Sequence, residues 1–431
     1  MTYEETIAYI HSVNWRGSRP GLSRITELLA ALGNPEKSLR CVHIAGTTGK
    51  GSTSAMLDSI LREAGYKVGT FTSPYIETFN ERIMYDGKPI GDDELCRLVS
   101  MIAPIAEAMD DPPTEFELIT ALGFVYFKEK GCDVVVLEVG MGGRLDSTNV
   151  IDSPLLSIIT GISLDHVAFL GDTVEKIAFE KAGIIKSGCP VLFGGCDSGA
   201  LEVISKTARE KDSPLYTVDY DALSVKSADL LGTEFSYKDR SGLKISLLGS
   251  YQPRNAAVVL DAMDILNQRG LKISDESVRK GLFKTKWPAR FEIILDSPTV
   301  IFDGAHNAEG IAAAVKSIKE YFGEKKLVVF TGVLSDKDYT AIAKSLSGIA
   351  SHAFTITPDN PRALSAEKYG DILTEFGVAA TPCKNTEEAI EKAILTAAKN
   401  DTALCCLGSL YTYSGVVDAI KKYASKEVTD N

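Results

Sequence analysis

No run in this 431-residue chain approaches the roughly 18 uninterrupted apolar residues of a membrane-crossing helix, and the opening MTYEETIAYIHSV has no basic segment leading into an apolar one. Both absences lead us to expect a cytosolic protein with no membrane partner. Its eight cysteines show no paired CxxC spacing and none of the density of a small secreted scaffold, which excludes a zinc ribbon or disulfide framework and reads as reduced, buried thiols. Positive charge is also scarce: 46 Lys and Arg stand against 58 Asp and Glu, a net charge of −12 that repels nucleic acid at long range. An anionic ligand must therefore be captured by a local pocket. Repeats and low-complexity tracts are lacking too.

What is present is an alternation of short β-rich runs and helical patterns, the signature of a parallel sheet with crossover helices. Strands are expected at 39–45, 67–72, 133–139, 155–160 and 190–194, with helices at 53–64, 92–109, 116–129 and 173–183 between them. A polar stretch from about 213 to 247 reads as a β-rich excursion, and 253–268 returns to helical spacing. The pattern then restarts with strands at 299–302, 326–331, 353–357 and 403–407, and helices from 307, from 338 and around 384–398. Pro288, in KTKWPARFEII, blocks helix continuation and marks the expected hinge. The fold class is thus α/β: residues 1–290 as a P-loop NTPase-like, mostly parallel sheet with flanking helices, and 291–431 as a smaller Rossmann-like domain.

The chemistry starts at HIAGTTGKGSTSAML, residues 43–57. A buried-strand pattern, a glycine-rich turn, a lysine, hydroxyls and a helical stripe follow in the order a phosphate-binding loop requires. Glycines let backbone amides turn inward, the helix N-terminus adds partial positive charge, and Lys50 reaches the β and γ phosphates. Ser52 or Thr53 can help hold Mg²⁺. The loop is shorter than the commonest Walker A form. Glu138 closes the strand pattern in EVGMGGRLDSTN, at the sheet edge where ligands collect, and a carboxylate there suits Mg²⁺. Gly140–Gly143 lack the following helix of a dinucleotide fingerprint. His166, just past the next strand, is open between a surface histidine, a polar residue behind the site and a metal ligand. Spacing alone makes Lys181 a surface lysine and Ser73 a turn residue before Pro74.

Nine stretches, GTTGKGST, TSPYIETFNERI, LEVGMGGRLDSTN, SLDHVAFLG, EKAGIIK, GSYQPRNAAV, WPARFE, DGAHNAEG and GSLYTYSG, together resemble the ordered motifs of folylpolyglutamate synthases and dihydrofolate synthases, a branch of the Mur ligase family. The resemblance runs from Lys50 to Ser414. It implies an ATP-dependent ligase in which Gly49, Lys50, Gly51 and Ser52 cradle ATP phosphates and Ser73, Glu138 and His166 ligate Mg²⁺. Lys181 would be carbamylated by CO₂, reversing its charge. Asn255 and Arg290 are similar to adenine- and phosphate-contacting residues, and Asp303 to an ATP contact from the second domain. His306, Ser409 and Tyr411 would lie near the incoming L-glutamate, with His306 as a possible base, and Arg82 would reach the folate or phosphate region. Thr48 and Tyr75 depart from the family, which often has Asn and His there; the second bears on the pterin pocket.

The reaction implied is activation of a carboxylate as an acyl phosphate by ATP, then attack by the glutamate amine. The acceptor is a folate, dihydropteroate, or both, and closure of two domains is expected to assemble the site. The family is usually monomeric, and a monomer is expected. Rival readings are a murein-precursor ligase, which needs a nucleotide-sugar domain that 45 residues before Gly46 leave no room for, a P-loop switch that hydrolyses nucleotide without glutamate, and a non-catalytic scaffold.

Overall fold

The computed structural model describes residues 1–13, 17 and 19–429. The chain forms two compact units, the first made of Met1–Ser224, Tyr237–Leu243 and Arg254–Thr285, the second of Val225–Ser236, Lys244–Pro253 and the chain from Lys286 onward. The division at 290 set by Pro288 falls inside that last span. The polar stretch around 213–247 supplies the short pieces Val225–Ser236 and Tyr237–Leu243, one to each unit.

The sheet of the first unit has eight strands: β1 (Cys41–Ala45), β2 (Val68–Phe71), β3 (Ile83–Tyr85), β4 (Lys88–Pro89), β5 (Val134–Glu138), β6 (Leu156–Ile159), β7 (Val191–Phe193) and β8 (Leu215–Thr217). Their order is β4-β3-β2-β5-β1-β6-β7-β8. Pairing is parallel from β2 to β8, whereas β3 and β4 pair antiparallel at one end. Every residue of β1, β2, β5 and β6 is buried, as strands covered on both faces must be. On one side Phe71, Val135 and Leu137 pack with Leu118, Leu122, Phe124 and Phe127 of the helix Glu115–Lys130. Thr114 starts that helix through a reciprocal capping box with Glu117. Elsewhere Ala45, Ile159, Val191 and Phe193 pack with Ala178 and Ala182 of the helix Val174–Ala182 and with Ala200 and Ile204 of Ser198–Glu210.

Three further strands, β9 (Leu223–Asp229), β10 (Gly232–Tyr237) and β11 (Arg240–Ile245), form their own sheet in the order β11-β10-β9. The second unit carries β12 (Glu292–Asp296), β13 (Thr299–Phe302), β14 (Leu327–Thr331), β15 (Ala350–Thr355), β16 (Ala379–Pro382) and β17 (Leu404–Leu407) in the order β12-β13-β17-β14-β15-β16. All neighbours run parallel except β12 with β13. Ile301, Val329, Ala353 and Cys405 form its core with Ile311, Ile318 and Tyr369 from its helices. Among the described residues no helix is long and apolar enough to cross a membrane.

Candidate active site

Strand order decides which residues meet. Because β2, β5, β1 and β6 are adjacent and parallel, the segments leaving their carboxyl ends share one edge of the first unit. Ser73 follows β2, Glu138 ends β5, Gly46–Ser52 follows β1 and His166 lies beyond β6. Four stretches far apart in sequence thus converge where open α/β sheets place their ligands.

The phosphate loop has the form its glycines predict. Gly46 and Gly49 have φ of +154° and +86°, and Gly49 caps the helix Lys50–Glu63. A Cβ on Gly46 would sit 1.7 Å from Thr160 Oγ1, and one on Gly49 would sit 2.7 Å from Asn255 Oδ1. Gly46 is therefore glycine because a hydroxyl fills the space beneath it. Asn255, distant in sequence, lies directly against the loop. The first bond of the helix runs from Thr53 N to Gly49 O, so the loop leads straight into a helix N-terminus.

Lys50 Nζ donates to Gly46 O at 3.0 Å, and Lys181 Nζ donates to the same oxygen at 2.9 Å. The surface lysine suggested by helix spacing is in fact 4% exposed. Its helix ends against the glycines after β5: Arg144 N bonds Glu180 O, and a Cβ on Gly143 would lie 2.8 Å from that oxygen. Burial, followed by the charge of Lys50, brings the Lys181 amine down to about 7, with Asp165 and Asp146 opposing. An amine near neutrality is substantially unprotonated at physiological pH, the form in which a lysine can act as a nucleophile.

Glu138 is 3% exposed, whereas the His166 side chain is 51% exposed. His166 has φ of +48° and caps the short helix Val167–Leu170, with its backbone N donating to Asp165 Oδ1 at 2.9 Å. Ser73 lies half-buried in the turn before Pro74. Among the described residues no three His, Cys, Asp or Glu stand close enough to hold a metal by themselves. A hydroxyl, one carboxylate and one imidazole beside a phosphate loop nonetheless fit Mg²⁺, which keeps several waters and takes its other oxygens from substrate phosphates.

Arg82 ends the turn Phe79–Arg82, its guanidinium 5.0 Å from the Tyr75 ring centre and 5.9 Å from that of Phe79. The non-family Tyr75 is thus a platform for the expected substrate-side arginine. Glu81 shapes this loop by accepting from Ile76 N at 2.9 Å and Thr78 N at 2.8 Å.

In the second unit the remaining candidates gather at the carboxyl ends of neighbouring β13 and β17. Asp303 is 4% exposed; its Oδ2 accepts from Tyr251 Oη and Phe291 N, both at 2.9 Å, and its Oδ1 from Ala305 N at 2.8 Å. Burial raises its pKa against the opposing charge of Arg290. Both oxygens of the expected ATP contact are occupied in fastening its own surroundings. Arg290 donates to Ala289 O at 3.1 Å. His306 Nδ1 lies 2.9 Å from Gly304 O; a carbonyl only accepts, so Nδ1 carries the proton and Nε2 is the basic nitrogen. Ser409 is buried and caps its own turn by accepting from Tyr411 N at 3.2 Å, while Tyr411 is 57% exposed.

Two sets of residues escape sequence reasoning. Asp146 accepts from Met141 N at 2.9 Å and from Thr148 Oγ1 at 2.6 Å, and Thr148 Oγ1 stands 2.8 Å from His43 Nε2, fixing the loop after Glu138 from beneath β1. Burial drops His43 to about 3, so it is neutral. The clustered D-S-T-N was the available signal. Thr47 and Thr160, which brace the phosphate loop, carried none.

A P-loop-type lysine at the carboxyl edge of one α/β unit, beside a buried near-neutral lysine and a metal-suited carboxylate, defines a nucleotide-triphosphate enzyme. Comparison with known proteins narrows the class. Residues 44–263 match the Mur ligase middle domain and residues 289–410 the Mur ligase glutamate ligase domain. The chain belongs to the Mur ligase family, in its folylpolyglutamate synthase and dihydrofolate synthase branch. It is 40% identical to the dihydrofolate synthase/folylpolyglutamate synthase of Bacillus subtilis, over 97% of this chain and 99% of that one. The Mycobacterium tuberculosis folylpolyglutamate synthase solved with ADP and AMPPCP superposes with a TM-score of 0.87 at 29% identity, covering 97% and 98% of the two chains. A folylpolyglutamate synthase complex with AMPPCP and folate gives 0.81 at 36% identity, covering 96% and 98%.

Proposed function

We propose that this chain is an ATP-dependent ligase that joins L-glutamate to the carboxylate of a folate, and to dihydropteroate to make dihydrofolate. The observation carrying this reading is the meeting of Lys50 and Lys181 at Gly46 O, with Glu138 ending the adjacent strand β5, in a chain whose two parts match the Mur ligase middle and glutamate ligase domains. Loop amides and Lys50 bind the phosphates of ATP and offset charge on the transferring phosphoryl group. An acceptor carboxylate oxygen attacks the γ-phosphorus, and ADP leaves. The glutamate nitrogen then attacks the acyl carbon, and the tetrahedral intermediate collapses to an amide and inorganic phosphate. His306 Nε2 takes the proton the amine must lose.

Ser73, Glu138 and His166 would hold Mg²⁺, which supplies Lewis-acid neutralisation of phosphate charge when bound. Lys181 is the group to be carbamylated: its neutral Nζ bonds to the carbon of CO₂ and releases one proton, leaving an anion beside the phosphate loop. Its lowered pKa and burial support this, since only the unprotonated amine reacts. Asn255 and Arg290 are assigned to the nucleotide, Arg82 to the acceptor, and Ser409 and Tyr411 to glutamate. Asp303, also assigned to the nucleotide, fastens Phe291 and Ala305 around it through their backbone amides.

The test is ADP release by the purified protein with Mg-ATP and L-glutamate, with tetrahydrofolate or dihydropteroate as acceptor and products weighed by mass spectrometry. Products one glutamyl residue heavier with both acceptors establish a bifunctional enzyme. A gain with one acceptor restricts the reading to it, and ADP release indifferent to glutamate refutes it.

A further inference from the structure

We infer that Thr160 and Thr47 are positioning residues that hold the phosphate loop in its ligand-binding shape by clamping it to the segment after β6. A phosphate loop aims its amides at the ligand, so its carbonyls face away and need donors from elsewhere. Thr160 supplies one: its hydroxyl donates to Thr48 O at 2.7 Å, with Ala45 O at 3.3 Å, while its own amide bonds Ala45 O at 2.9 Å. A hydroxyl has one proton, and the shorter contact commits it to Thr48. Thr160 is 2% exposed, so its hydroxyl makes this bond away from bulk water.

Thr47 closes the other side. Its amide donates to Gly161 O at 2.7 Å, its hydroxyl donates to Ser163 O at 3.1 Å, and that hydroxyl accepts from Ser163 N at 3.2 Å. These bonds tie the loop at Ala45, Thr47 and Thr48 to a segment that carries His166 three residues after Ser163. The fit beneath Gly46 is closed to any side chain by the same Thr160 hydroxyl. Neither threonine is placed against substrate. Each acts through the loop it shapes.

The inference rests on the nucleotide-binding reading above. Its test uses the full-length protein and its Thr160→Val, Thr160→Ser and Thr47→Val variants. The affinity for a non-hydrolysable ATP analogue is measured by calorimetry, alongside KM for ATP and for glutamate. Valine keeps threonine's shape and removes the hydroxyl, so Thr160→Val should weaken analogue affinity and raise KM for ATP roughly tenfold, leaving KM for glutamate within about twofold. Thr160→Ser should restore nucleotide affinity, and Thr47→Val should follow Thr160→Val. A destabilised fold would move both KM values and would not be rescued selectively. Valine variants that bind the analogue like the parent, or a serine variant as impaired as valine, overturn the inference alone. A parent that binds no nucleotide overturns the ligase reading and this inference with it.

Discussion

Replacing Lys181 by methionine should stabilise the protein in acid and lose that advantage in alkali. The side chain is 4% exposed, and its amine has one carbonyl partner, Gly46 O at 2.9 Å. Bringing its pKa from 10.5 to about 7 is worth roughly 5 kcal/mol at about 1.4 kcal/mol per pH unit. Below pH 7 folded and unfolded chains both carry the proton, so the native state bears the whole cost of a buried ammonium. Between about 7 and 10.5 only the unfolded chain binds it, and stability rises with pH. Methionine matches the length without the charge. The advantage of Lys181→Met should therefore shrink by about 3 kcal/mol from pH 6 to pH 9.5, which at a urea slope of about 3 kcal/mol/M narrows the gap between midpoints by roughly 1 M. Urea titrations of both proteins in CO₂-free buffers measure it. A gap that stays constant across that range would refute the depressed pKa, and with it the argument that Lys181 is nucleophilic at neutral pH. The same variant should lack ligase activity.

His306→Gln should lower kcat by roughly 10²–10⁴ and flatten the acidic limb of its pH profile, while the affinity for a non-hydrolysable ATP analogue stays unchanged; an unaltered profile removes the base. Tyr75→Ala withdraws the ring under Arg82, and a lost cation–π contact of about 0.5–2 kcal/mol should raise KM for the folate acceptor roughly 2- to 30-fold with KM for ATP fixed. Asp303→Asn turns one acceptor oxygen towards backbone amides as a donor, so the thermal midpoint should fall by several degrees, read by calorimetry without ligand.

The central strands of the two larger sheets were legible because strands such as β1, β5 and β14 are buried over their whole length and leave unbroken apolar runs, whereas the edge strands β12 and β16 were not. The phosphate loop was legible because strand, glycines, lysine and helix are contiguous. Lys181 was not, since its burial depends on residues 140–149 folding over the end of its helix, a contact between segments that periodicity cannot register. Nor was the left-handed backbone at His166, which no residue type demands. The helices Tyr3–Ser12 and Ser23–Ala31 went unassigned although Thr2 and Glu5 form a capping box that the sequence spells out. The edge pair β3 and β4 was passed over because strands of three and two residues are too short to show a period.

The shared acceptor at Gly46 links the charge state of Lys181 to whatever Lys50 binds. One carbonyl dipole serves two amines, and the charge of Lys50 helps strip the proton from Lys181. A phosphate that draws Lys50 off that oxygen adds negative charge nearby, which weakens the grounds for keeping Lys181 neutral. Each amine has its own lone pair on that oxygen, so what couples the two lysines is charge rather than competition.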